Sequence, residues 1–382
     1  MCWCLKDENG MILDDIQNRL QLSSLNMSII DRIHTDYKFG DIMKQIIITK
    51  YGDTDVLKVQ ENKDPKPSAG EVLIKVKAIG VNFADILARK GLYPDAPKPP
   101  CVVGYEVSGM IETAGQGVDS AVVGKSVLAL TRFNGYSDKV CVPEDSVFTI
   151  PESLGYERAA AIPVNYLTAY QLICVMGGLK KGESVLIHNA GGGVGLAALD
   201  IALHLEAMTY GTSSAGKHSF LMERGLNHPI DYRNQDFLSN IMSLTGGKGV
   251  EMVIDPIGGK NWKKNYSALR STGRLGMFGV STVTESTMGR IFQFLKLIAQ
   301  MPWYTPLGLM NANKSVFGVN LGHMWNERNK ISGWMQIILK GVEEGWVRPH
   351  VDRTFLFEQA GEAHAYIEAR KNIGKIVLVT GA

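Results

Sequence analysis

From residue 43 to about 166, apolar and polar positions alternate with a period of two, or run apolar for a few residues. The pattern predicts short strands at 45–49, 56–60, 71–78, 107–113, 126–129 and 137–143, separated by glycine and proline. One helix interrupts them over 83–90, with Asn82 before it and Gly91 after it. Asn82 and Asp85 have the spacing of a helix N-cap and its reciprocal capping partner. Many short strands with turn signals suggest a barrel-like β domain whose sheet edges close by pairing.

The pattern changes over residues 167–321. Short β-branched runs at 185–187, 208–211, 229–230, 252–255, 274–278 and 315–319 alternate with helical stretches at 169–176, 196–205, 217–224, 237–245 and 260–269. That alternation predicts a doubly wound parallel sheet. Residues 326–382 predict helices near 330–344 and 357–371 and a final strand at 375–379. They are assigned back to the β domain. The α/β domain at 167–321 is then an insertion between 43–166 and 322–382. Residues 1–42 are polar with scattered apolar positions, and only 14–22 suggest a short helix. This extension is expected to be a mobile arm, with Met43 as an alternative start. No internal repeat or low-complexity tract is present.

The α/β part opens with the chemistry-bearing stretch. An apolar run, Ser184-Val185-Leu186-Ile187, leads into Asn189-Ala190-Gly191-Gly192-Gly193-Val194-Gly195 and then an Ala- and Leu-rich helix. Strand, glycine turn and helix together form the dinucleotide-binding arrangement. Glycines let the backbone approach a pyrophosphate, which sits on free N–H groups at the positive end of the helix. Gly192, Gly193 and Val194 are the candidates here. The strict glycine fingerprint is only partly met, because Ala190 stands at its first glycine. An NAD-type site would place an acidic residue near the end of the next strand. Here that region reads Gly211-Thr212-Ser213-Ser214-Ala215-Gly216-Lys217. Ser213, Ser214 and Lys217 suit a 2′-phosphate. One charged hydrogen bond of about 1.5–3 kcal/mol corresponds to about tenfold to hundredfold preference for NADPH.

Composition narrows the class. The 382 residues are 45% hydrophobic and 20% charged, with 40 basic and 38 acidic side chains. That is ordinary for two globular domains. The near balance of charge gives no electrostatic reason for a nucleic-acid partner. Five scattered cysteines argue for a reducing compartment rather than a disulfide framework, and no secretory leader pattern opens the chain. A cytoplasmic location is expected. The eight histidines lack ligand spacing, so no metal is expected. His188 reads as scaffold at the end of a strand. The greasy stretch at 291–310 contains Lys296, Pro302 and Pro306 and is a poor membrane span. It reads as a helix covering the cleft or a subunit contact, with a lipid-like substrate or a membrane surface as the alternative.

Ordered motifs span nearly everything after Met43: Val81-Asn82-Phe83-Ala84-Asp85 through Gly91-Leu92-Tyr93, Gly104-Tyr105-Glu106, Val164-Asn165-Tyr166-Leu167-Thr168, the glycine turn, His228-Pro229-Ile230-Asp231-Tyr232, Asp255-Pro256-Ile257-Gly258-Gly259 and Lys371-Asn372-Ile373-Gly374-Lys375. With these the chain resembles the zinc-independent branch of the medium-chain dehydrogenase/reductase superfamily, the quinone oxidoreductases. Within it the chain is most similar to the vesicle amine transport protein group. The resemblance implies a Rossmann-type doubly wound sheet inserted in a GroES-like β-barrel catalytic domain. Where the zinc enzymes of the superfamily carry a cysteine and a histidine ligand, this chain has Asn82 and Tyr105, and their structural-zinc cysteine cluster is absent. Without a Lewis acid, oxidising an alcohol is difficult, whereas quinones and conjugated enones accept hydride directly.

The resemblance further implies Asn82 beside the nicotinamide ribose and Asp85 in the pocket; Tyr93, on the loop after the helix, is a candidate donor to substrate oxygen, with simple packing as the alternative. Leu87 stands where some quinone reductases carry a second tyrosine. The resemblance also implies Thr168 packed on the nicotinamide and Tyr232 near the adenosine phosphate. Phe278 and Phe317 would end strands beside the nicotinamide or serve only as core. The expected activity is NADPH-dependent hydride transfer to a quinone or similar electron-poor carbonyl compound. A 2-alkenal or enoyl-thioester reductase, or a non-enzymatic NADPH-binding lipid-handling or interaction protein, are the alternatives. A homodimer is implied, paired through the edge strand at 315–319.

Overall fold

The structure, a computed structural model, describes residues 42–282, 295 and 297–381. The chain divides into two units, one of residues 1–43 and 62–64 and one of 44–61 and 65–382. The second holds the elements that matter here. The expectations for 1–41, including the helix at 14–22, lie outside the described residues.

The β-rich half contains β1 (Ile42–Ile48), β2 (Leu57–Lys63), β3 (Glu71–Val81), α1 (Phe83–Arg89), β4 (Cys101–Val102), β5 (Glu106–Ala114), β6 (Ser126–Leu130), β7 (Lys139–Pro143) and β8 (Val147–Thr149). The alternation puts Val72, Ile74, Val76, Val107, Ile111 and Val127 into one core with Ile46 and Tyr136. Two helices follow, α2 (Tyr156–Ala159) and α3 (Pro163–Tyr170), the latter running into a π-helical turn at Gln171–Met176. The expected helix at 169–176 therefore begins six residues earlier, at a proline suited to the first helical turn.

Next come β9 (Ser184–Ile187), α4 (Gly193–His204), β10 (Met208–Ser213), α5 (His218–Glu223), β11 (His228–Asp231), α6 (Phe237–Leu244), β12 (Val250–Asp255), α7 (Asn261–Ala268), β13 (Leu269–Met277), α8 (Pro306–Ala312) and β14 (Ser315–Gly318). Their strands form one six-stranded parallel sheet ordered β11-β10-β9-β12-β13-β14. Counted from β9, this is the 3-2-1-4-5-6 order of a doubly wound dinucleotide fold. Its two central strands, β9 and β12, are largely apolar on both faces, as burial between two helix layers requires.

After α9 (Arg328–Glu343) the chain forms β15 (Val351–Leu356), α10 (Ala360–Glu368) and β16 (Lys375–Val379). β16 pairs antiparallel with β3 and parallel with β15, completing the sheet β15-β16-β3-β5-β6-β8, with β7 also on β3. The architecture is thus a parallel Rossmann-type sheet set between the two chain segments of a GroES-like β domain. β15 was not foreseen. It lies at the sheet edge, and its Val-Asp-Arg-Thr-Phe-Leu sequence carries the charges an edge tolerates.

Candidate active site

The glycine turn connects β9 to α4. Asn189 takes a left-handed backbone (φ 52°) and Gly192 caps the helix. A side chain at Gly195 would lie 2.3 Å from the Asn189 carbonyl oxygen, so only glycine lets the helix start this close to the strand. Asn165, on α3, fills the space where a Gly193 side chain would stand, 2.6 Å from that position. Gly193 and Val194 remain partly open at the helix start, where free amides suit a pyrophosphate. Thr168, one turn after Asn165 on α3, is 8% exposed on the same helix face.

Beyond β10 the structure gathers positive charge. Ser213 is buried as the last residue of the strand, two residues beyond the predicted end, and Ser214 begins the turn that carries Lys217. The Lys217 stem lies over Gly191, and its Nζ donates to the Asn372 carbonyl at 2.5 Å. Burial lowers its pKa. Tyr232 is exposed. Burial alone would raise its pKa, but hydrogen bonds with Arg233 and Arg370 outweigh that and lower it. Lys217, Tyr232, Arg233 and Arg370 therefore influence one another in one cluster. Of these, sequence reasoning found Lys217 and Tyr232 and missed both arginines; Arg370 is distant in sequence and only folding brings it here. Asp352, on β15, is the carboxylate that bears on Lys217, while Asp231 ends β11 rather than β10, and its carboxylate accepts from Arg233 N at 3.1 Å and Asn234 Nδ2 at 2.7 Å.

The segment before β16 joins this cofactor side to the β domain. Gly374 N donates to the Gly191 carbonyl at 2.8 Å. The next residue, Lys375, is 3% exposed; its Nζ pairs with Glu106 and donates to Asn82 Oδ1 at 2.6 Å. Asn82 Nδ2 in turn donates to Glu106 Oε1 at 2.9 Å, and Glu106 Oε2 accepts from Val164 N at 2.7 Å. Gly80 makes room: a Cβ there would stand 2.5 Å from Glu106 Oε1. Sequence reasoning quoted Glu106 and Lys375 within motifs but assigned them no role. A lysine opening an apolar strand, and a glutamate opening another, were the available signals.

Asp85 departs from expectation. The resemblance implies a place on the pocket wall, but the side chain is fully buried. Its Oδ2 accepts from Asn82 N at 2.8 Å and from the Tyr136 hydroxyl at 3.2 Å, and its Oδ1 accepts from Gly104 N at 3.2 Å. It thus caps α1 and fixes the Gly104 turn. Burial pushes its pKa up to about 7 against the nearby Lys375. Tyr93 is half-buried and meets Tyr105 edge to face, with ring centroids 6.1 Å apart. Burial raises its pKa.

The donor set does not fit a zinc ion. The Asn82 oxygen is held by the Lys375 ammonium, and burial keeps the Tyr105 phenol protonated. No group of three or more His, Cys, Asp or Glu converges among the described residues. Phe317 packs its ring over Gly276, in the sheet, and Phe278 is half-buried against the core around α3 and β9. His188 is enclosed, with Nδ1 at 2.9 Å from Thr212 Oγ1 and Nε2 at 2.7 Å from Asn265 Oδ1; burial keeps it neutral. Of the apolar stretch at 291–310, residues 291–294 and 296 lie outside the described residues. Trp303, Leu307 and Met310 are exposed, whereas Tyr304 packs on Tyr266.

Comparison with known proteins agrees with this geometry. Residues 68–156 match the alcohol dehydrogenase GroES-like domain, and residues 224–378 match the zinc-binding dehydrogenase family. The synaptic vesicle membrane protein VAT-1 homolog of Homo sapiens is 35% identical over 343 residues, covering 89% of this chain and 87% of that protein. An Escherichia coli quinone oxidoreductase solved in complex with NADPH superposes with a TM-score of 0.77 at 27% identity, covering 88% of this chain and 99% of that one. The CurK enoyl reductase superposes with a TM-score of 0.77 at 26% identity, covering 89% and 99%.

Proposed function

We propose that this chain, which belongs to the VAT-1 and quinone oxidoreductase branch of the medium-chain dehydrogenase/reductase family, is an NADPH-dependent reductase of quinones or similarly electron-poor carbonyl compounds. The family membership makes it an oxidoreductase with a nicotinamide cofactor; NADPH and the quinone are the proposal. The observation that carries it is the cluster of Lys217, Arg233, Arg370 and Tyr232 beyond β10, with no acid at the end of that strand. Three cations suit a dianionic 2′-phosphate, whereas a bare ribose would offer them no charge.

The bound cofactor would supply the hydride. The start of α4 (Gly192, Gly193, Val194) would hold the pyrophosphate, and Ser213, Ser214, Lys217, Tyr232 and the two arginines the phosphate end. Asn82, fixed by Lys375 and Glu106, and Thr168 would face the nicotinamide. Asp85 holds Asn82 in place from behind, and Tyr93 would donate to the carbonyl oxygen of the acceptor. The chain's contribution is positioning and exclusion of water. An acceptor that delocalises its own charge needs no Lewis acid, which matches the donor set at Asn82 and Tyr105.

The likeness to an enoyl reductase keeps a conjugated carbonyl acceptor as the second reading. A homodimer through β14, at the edge of the parallel sheet, and a cytoplasmic location belong to the same proposal. Consumption of NADPH and NADH should be followed with 1,2- and 1,4-quinones, a 2-alkenal and an enoyl thioester. Turnover with quinones and NADPH is expected. Turnover with the thioester alone would select the second reading. Tight NADPH binding with no turnover on any acceptor would overturn both.

A further inference from the structure

Tyr105 carries a polar atom that the reading above leaves unused. The residue is 7% exposed and sits between the Gly104 turn and β5. Its ring meets Tyr93 at an interplanar angle of 84° and packs against Phe133 with centroids 5.4 Å apart. The hydroxyl is enclosed and makes no hydrogen bond of ordinary geometry with any described residue, yet the Tyr93 phenol is near enough that hydrogen bonding between the two raises the Tyr105 pKa and opposes the rise at Tyr93. A buried hydroxyl so loosely paired forfeits part of the about 1–3 kcal/mol that full pairing would save, a loss that phenylalanine at this position would avoid.

Few polar groups stand near enough to use it. The Tyr93 phenol, Asp85 and Asp95 all bear on its ionisation. Asp85 is already engaged by Asn82, Gly104 and Tyr136. Asp95 pairs with His323 at 2.8 Å. Tyr93 is the remaining group. Its hydroxyl lies 3.0 Å from where a side chain on Gly322 would begin, in the turn that follows β14. The Tyr93 hydroxyl therefore stands where the loop after α1 meets the loop of the parallel sheet, the junction at which an acceptor would lie beside the nicotinamide. Burial raises the pKa of both phenols, so both keep their protons near neutral pH.

We propose that Tyr105 is a positioning residue: with substrate bound, its enclosed O–H donates to the Tyr93 oxygen and fixes the Tyr93 O–H on the substrate's carbonyl oxygen. This rests on the reductase reading. As the acceptor takes a hydride at carbon, the carbonyl electron pair moves onto oxygen, and the Tyr93 hydrogen bond strengthens with the developing charge. The Tyr105 bond polarises Tyr93 in the same direction. Solvent water supplies the proton that completes the product, so neither tyrosine is consumed.

A double-mutant cycle tests this on the full chain. Tyr105→Phe should lower kcat/KM for a quinone about 3–10-fold, the worth of one neutral hydrogen bond. The loss should fall on kcat, with NADPH KM unchanged and Tm equal or slightly higher. Tyr93→Phe should lose about 10–100-fold. The double variant should be no worse than Tyr93→Phe, because Tyr105 acts only through Tyr93. An unaffected Tyr105→Phe enzyme, or the same fold loss from Tyr105→Phe in the Tyr93→Phe background, overturns the inference. Those outcomes leave the reductase reading standing. A wild type inert with every acceptor overturns both.

Discussion

Replacing Lys375 with methionine keeps the unbranched side chain to within one atom of its length and removes its charge. Lys375 is 3% exposed and its partner Glu106 is fully buried. Without the ammonium, Glu106 retains hydrogen bonds from Asn82 Nδ2 and Val164 N but no counter-charge, and Asn82 Oδ1 loses its donor. Breaking a buried ion pair from one side costs about 3–5 kcal/mol, because the remaining charge stays uncompensated. At roughly 2 °C per kcal/mol for a chain of this size, Tm should fall by about 6–10 °C. The double variant Lys375→Met/Glu106→Gln removes both charges. The introduced glutamine can keep its oxygen on Val164 N, and a flip of the Asn82 amide then turns Oδ1 toward the glutamine NH2 in place of the Asn82 Nδ2 that faces Glu106 Oε1. It should recover to within about 1 kcal/mol of wild type, as neutral replacement of a buried pair usually does. Urea denaturation and thermal melts of the four proteins measure this. A loss below about 1 kcal/mol in Lys375→Met, or a double variant as unstable as the single, would refute the buried-pair account.

Lys217→Ala should raise the NADPH KM about tenfold to a hundredfold and leave the NADH value nearly unchanged; equal effects on both would reduce Lys217 to its tie with Asn372. Asp85 holds its proton up to about pH 7 in the folded chain and releases it near 3.8 when unfolded. The native state therefore binds more protons in that window, and the stabilisation is full below about pH 4 and lost as pH rises to 7. It amounts to on the order of 4 kcal/mol. Asp85→Asn should cancel that part of the slope, so a wild-type-minus-variant stability difference that does not change between pH 4 and 7 would count against it. Gly195→Ala would bring a Cβ to 2.3 Å from the Asn189 carbonyl oxygen. It should abolish the Tm increase that nucleotide gives, and a variant with wild-type Tm and binding would show that the turn can relax.

What the sequence revealed was local. The alternation of short strands, the 3.6-residue helices and the glycine turn each follow from neighbours within a dozen residues, and they predicted most strands of the two larger sheets. The N-cap pairing of Asn82 and Asp85 was legible for the same reason: three residues separate them. What stayed hidden needs distant partners. Lys375 touches Asn82 from nearly three hundred residues away, and Arg370 reaches Tyr232 across the fold. Asp85 was misplaced because its spacing tells of the capping partner and not of Gly104 or Tyr136, which enclose it. β15 escaped notice because an edge strand has only one neighbour to satisfy and so carries little alternation.

The pairing of β16 with β3 has a consequence in time. Val81 finds its partner Ile376 only after every residue of the parallel sheet has been made. At roughly 5–20 residues per second, that edge of the nascent β domain waits on the order of 15–60 seconds on the ribosome. Glu106 waits with it, buried in prospect and still without its cation. Until then that edge stays open to water, and the β domain reaches its finished form last although most of its strands are synthesised first.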